Sequence, residues 1–115
     1  MSITITVPEG SPGTHLDLTL RLRADINITP FAARQKVNRL LMTEVGDRVG
    51  GGVPELVVGD TLHWRVPICV YSPTHGCLGQ AGAIDVDVDS GEVLIDDEAL
   101  EEIARHASIL AAGAP

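Results

Sequence analysis

Residues 61–71, TLHWRVPICVY, constrain the fold more than any other stretch of the chain. Leu62, Trp64, Val66, Ile68 and Val70 hold alternate positions, with His63, Arg65, Pro67 and Cys69 between them. A period of two places the first set on one face of an extended strand and the second on the other, so this segment requires a sheet with a core on one side. Pro67 has no N–H to give to a ladder, which predicts an edge strand or a bulge at that residue. A second alternation sets Ile84, Val86 and Val88 against Asp85, Asp87 and Asp89, then meets Ser90, Gly91 and the apolar run from Val93 to Ile95. It reads as two strands around a tight turn.

The rest of the chain supplies helices and one more pair of strands. In ITPFAARQKVNRLLMTEVG, Thr29 is a good N-cap, Pro30 suits the first helical position and Gly46 can close the C-terminus. Ala33, Val37, Leu40, Leu41 and Val45 recur at three- and four-residue spacing, which predicts one buried stripe. A second amphipathic helix is expected over residues 96–112, with Leu100, Ile103, Ala107 and Leu110 inward and acids crowding its first turn. Glu101 with Arg105, and Glu102 with His106, stand at favourable spacing along it. At the other end, Ile3, Ile5 and Val7, then Leu16, Leu18, Leu20 and Leu22, alternate on either side of PEGSPG and predict an N-terminal hairpin within residues 1–25. GDRVGGGVPE reads as a flexible linker, and SPTHGCLGQ as a turn-rich connection. The expected architecture is one α+β domain over residues 1–115: an antiparallel sheet with one long helix packed on a face, plus the N-terminal hairpin and the C-terminal helix.

Composition narrows the function classes. The chain carries 16 acids against 8 bases, a formal net charge of -8, and its bases are scattered. Phosphate backbones and anionic membrane surfaces attract the opposite sign, so neither nucleic acid nor membrane is an expected partner. Aromatics make up only 3% of residues, which also argues against a base-stacking platform. Trp64 is read as a core anchor. No basic region followed by an apolar run opens the chain and no segment is long enough to cross a bilayer, so a cytoplasmic location is expected.

Three groups of side chains invite chemistry. Asp85, Asp87 and Asp89 have the alternate spacing of a calcium loop, but counting from Asp85 the sixth position is Ser90, glycine arrives one place late and the twelfth is Asp96. A strand with a solvated acidic face explains them better. His63, Cys69, His75 and Cys77 are four possible soft-metal ligands within fifteen residues, although their only close pair is His75 and Cys77. They form the candidate metal set, with zinc as the ion. Two cysteines make no disulfide framework, and free thiols are expected in a reducing compartment. Cys77 beside His75 lacks a third, orienting group, so no catalytic residue is nominated.

WRVPI, a glycine and IDVDVDSGEV resemble the PepSY-type pattern, in which a tryptophan strand precedes a Val-Asp-x-x-Thr/Ser-Gly-Glu-Val hairpin. Trp64, Val86, Asp87, Ser90, Gly91, Glu92 and Val93 match that signature, and TPFAARQKV is similar to the start of its helix. The resemblance covers about residues 29–95. It implies a helix packed on a curved, cystatin-like antiparallel sheet, with Gly91 making the turn and Asp87 capping or bracing it. Domains of that family are typically secreted or membrane-linked and tied to peptidase regulation, whereas this chain adds a hairpin and a terminal helix and shows no signal peptide. The expected function is a noncatalytic interaction or regulatory module, homodimeric or bound to another protein, with no cofactor. The rivals are a small-ligand or zinc-binding protein and a cytoplasmic peptidase regulator.

Overall fold

A computed structural model describes residues 17, 19, 21 and 23–113, so the N-terminal hairpin read from residues 1–25 lies almost wholly outside the described residues. Among those described, the element order is α1 (Pro30–Glu44), β1 (Val49–Gly51), β2 (Glu55–Val58), β3 (Leu62–Ser72), β4 (Gly76–Asp87), β5 (Val93–Leu94) and α2 (Asp97–Ala112). The strands form one antiparallel sheet in which β3 and β4 lie side by side at the centre and β5 pairs with β4. β1 and β2 both pair with the other side of β3, one after the other, as two halves of a broken edge strand. The α+β class is as expected. The helices, however, are of nearly equal length, 15 and 16 residues, and share one face of the sheet.

Both helices begin where the sequence placed them. Thr29 Oγ1 accepts the Ala32 N–H and Asp96 Oδ1 accepts the Ala99 N–H, which satisfies amides that the first turn cannot. α1 buries Ala33, Val37 and Leu41, and α2 buries Ile103 and Ala107. These meet Val66, Ile68 and Val70 of β3 and Ala81, Ile84 and Val86 of β4 in one apolar cluster. Trp64 packs against that cluster, and its indole N–H donates to the Ile28 carbonyl at 2.7 Å, fixing the approach to α1.

The period of two holds along β3 but not along β4. Ile68 and Cys69 are consecutive, yet their partners are Gly82 and Gln80; Val70 and Tyr71 face Gly79 and Cys77. Ala81 and Leu78 are thus extra residues, and each bulge turns the strand so that an apolar side chain still reaches the core. Gly82, at φ 148°, sits at the first bulge, where a Cβ would stand 2.9 Å from Cγ1 of Ile103. The connection expected over SPTHGCLGQ is therefore mostly strand, with only Pro73, Thr74 and His75 in the turn.

Two further expectations change. GDRVGGGVPE is not a linker, because its glycines build β1 beneath α1; a Cβ on Gly51 would come within 2.7 Å of Val66 Cγ1. Pro67 is not on an edge strand, since β3 is flanked on both sides. Its carbonyl accepts the Gly52 N–H at 2.7 Å, and residues 52–54 then leave the sheet before β2 begins. The N–H that proline lacks would fall at that break.

Candidate functional site

The candidate metal set does not assemble. His63 lies on the sheet face opposite the helices, its Nε2 3.2 Å from Asp85 Oδ2, whereas His75 is exposed in the β3–β4 turn. Cys69 and Cys77 are joined to each other as a disulfide, with Cα atoms 5.9 Å apart, inside the usual span for such a bond. This corrects the expectation of free thiols and of zinc on His63, Cys69, His75 and Cys77. A sulfur bonded to sulfur is no thiolate ligand. Among the described residues no group of three or more histidines, cysteines, aspartates or glutamates is placed to hold a metal. The same bond removes Cys77 as a nucleophile.

The aspartates are engaged in structure. Asp85 accepts both Nε and Nη2 of Arg65, at 3.0 and 3.2 Å, across the β3–β4 ladder. That hydrogen-bonded carboxylate raises the Arg65 pKa. Asp87 Oδ1 accepts the N–H groups of Ser90 and Asp89, each at 2.8 Å, and these bonds, Ser90 first, hold its carboxyl below the ordinary aspartate range. Gly91 donates its N–H to the Asp87 carbonyl at 3.0 Å and closes the turn into β5. Asp89 accepts from Asn27 Nδ2. Each carboxylate thus has a partner within the fold: Asp85 on β3, Asp87 in the turn and Asp89 at Asn27. His63 is different: Nε2 is near Asp85 without the alignment of a hydrogen bond, and neither buried ring nitrogen makes a hydrogen bond among the described residues. With Asp85 committed to Arg65 and no nucleophile beside the ring, the trio resembles a cross-strand brace more than a catalytic dyad.

Compared with known families, curated proteins and solved structures, the chain matches none. What the molecule can do must be read from its own surface.

The broken edge strand is the most informative part of that surface. Its first half is closed off by α1: Asn38 Oδ1 accepts the Gly51 N–H at 2.7 Å, and Arg34 Nε donates to the Gly51 carbonyl at 2.9 Å. Helix side chains take the bonds that a neighbouring strand would otherwise make. No such partner reaches β2 among the described residues, and β2 presents Leu56 at 40% and Val58 at 38% exposure, beside Val53 at 76%. Its only charge, Glu55, lies opposite Arg65 on β3. The sequence signal for this edge is the ELVV run itself, but whether that edge is covered depends on where α1 comes to rest.

No helix among the described residues is long and apolar enough to cross a membrane.

Proposed function

We propose that the chain is a noncatalytic interaction module that pairs with a second copy of itself through β2. The carrying observation is the unequal treatment of one edge: capped by Asn38 and Arg34 over β1, apolar and without such a cap over β2 among the described residues. An unpaired strand edge is a template for another strand, and a two-fold axis normal to the sheet gives antiparallel pairing. With Val57 on that axis, Leu56 of one copy faces Val58 of the other, twice, on the helix-bearing side. Glu55 then stands opposite Gly59, so the two carboxylates never meet. That register is self-complementary, apolar at its centre and free of like-charge contact.

Sedimentation across a concentration series up to the sub-millimolar range tests this reading. The wild-type chain is expected to form dimers, and Val57→Lys, which would set two ammonium groups face to face on the axis, to remain monomeric with an unchanged circular dichroism spectrum. A wild-type chain that stays monomeric throughout overturns it. In that event the peptidase-regulator reading becomes the stronger one, with the same edge receiving an extended segment of another protein.

A further inference from the structure

We propose that the Cys69–Cys77 disulfide is a site of thiol exchange: a solvent-facing clamp that low-molecular-weight thiols open at Cys77, and whose state governs the β3–β4 hairpin tip around Tyr71. This inference is independent of dimer formation.

Placement gives access. Cys69 alternates with the buried Ile68 and Val70, so its sulfur lies on the face that neither helix covers, and Cys77 is exposed on the neighbouring strand. Exchange requires a thiolate to approach one sulfur in line with the S–S bond, and Cys77 is the more exposed of the two residues. The incoming thiolate forms a mixed disulfide with Cys77 and expels Cys69 as thiolate, which takes up a proton. A second thiol displaces Cys77 from the adduct. In sum, two thiols become one external disulfide, and the pair gains two electrons and two protons as two thiols.

The cross-link is redundant for the fold. It spans a sequence separation of 8 that the ladder already closes through the pairs Tyr71 with Cys77 and Ser72 with Gly76. The core side chains of this hairpin, Ile68, Val70 and Ala81, are sealed by helices on the opposite face. A disulfide that a secreted fold cannot do without closes an otherwise open chain, and this one does not.

What the bond does constrain is an irregular piece of sheet. Both bulges of β4, at Leu78 and Ala81, fall where β4 pairs with residues 68–71 of β3. Tyr71, directly opposite Cys77, carries its ring to the other side, where Cε2 lies 3.2 Å from a Cβ built on Gly50. There it walls a groove with Met42, Asn38 and Arg34. Closing the clamp fixes the backbone of Tyr71 and hence one wall of that groove, and opening it releases the wall.

Tyr71 is the only tyrosine in the chain, so its ring resonances report on the tip without labelling. The oxidised protein should yield two free thiols when treated with dithiothreitol in native buffer, and oxidised glutathione should close the pair again. Far-UV circular dichroism should stay constant, while Tyr71 shifts and amides of residues 70–80 exchange roughly tenfold faster, with α1 and α2 unaffected. A Cys69→Ala/Cys77→Ala double variant should reproduce the reduced spectrum. Reduction only after denaturation, unfolding on reduction, failure of oxidised glutathione to re-form the bond, or a reduced tip indistinguishable from the oxidised one would each overturn the proposal.

Discussion

β1 and β2 are two halves of the same edge, separated by three residues, and they meet opposite fates. β1 is three residues of Val-Gly-Gly lying under α1, where the missing side chains allow Arg34 and Asn38 to reach the Gly51 backbone. β2 carries Leu and Val, and among the described residues no side chain bonds its outward edge. A strand edge is thus neutralised by whatever lies close enough to bond it, and glycine is what permits that approach. The half with full side chains receives no such bond from α1 among the described residues.

Substitutions can break this contrast. The largest effect is expected from Gly51→Ala, because the added Cβ would meet the fully buried Val66, whose branched side chain has little freedom to move. Urea unfolding should show a loss of about 1–3 kcal/mol, typical of overpacking. Next comes Asn38→Ala, which leaves the Gly51 N–H half-buried without its acceptor and should cost about 1 kcal/mol. It should also open the protected half of the edge, so self-association at high concentration should strengthen rather than weaken; unchanged or weaker association would show that Asn38 is not a guard.

The far side of the sheet provides a control by pH. The Asp87 carboxyl is held below its ordinary range by the Ser90 and Asp89 amides, so the folded state binds its proton less readily than the unfolded chain does. The stability it contributes is fully present above the unfolded value of about 3.9 and is lost as pH falls through the lower folded value. Acid titration followed by amide exchange should therefore loosen the turn at residues 87–92 in that window, and Asp87→Asn should remove this part of the pH dependence. The smallest stability effect belongs to Val58→Lys, within about 0.5 kcal/mol because the side chain is exposed, although its association should fall sharply.

Legibility followed side-chain pattern. α1 and α2 were readable from Thr29, Pro30 and their apolar spacing, and β3 from its alternation, because local chemistry alone specifies caps and faces. β1 was not, since Val-Gly-Gly carries no periodicity and its role is set by the underside of α1. The start of β4 was hidden by the bulges at Leu78 and Ala81, which break the period of two. Those bulges also decide how Cys77 comes to lie beside Cys69, so the disulfide was unreadable from spacing, and the four-ligand set that spacing suggested never forms. The bracing role expected of Asp87 is visible in its bonds to Ser90 and Asp89.

Hydrogen exchange of the amides in Glu55–Val58 at low and high protein concentration reports whether a second copy pairs along β2. Alternate amides of β2 should gain protection as concentration rises, while Gly51, already bonded to Asn38, should not change. Protection of β2 that is independent of concentration in a chain that nevertheless dimerises would place the interface elsewhere and contradict that pairing.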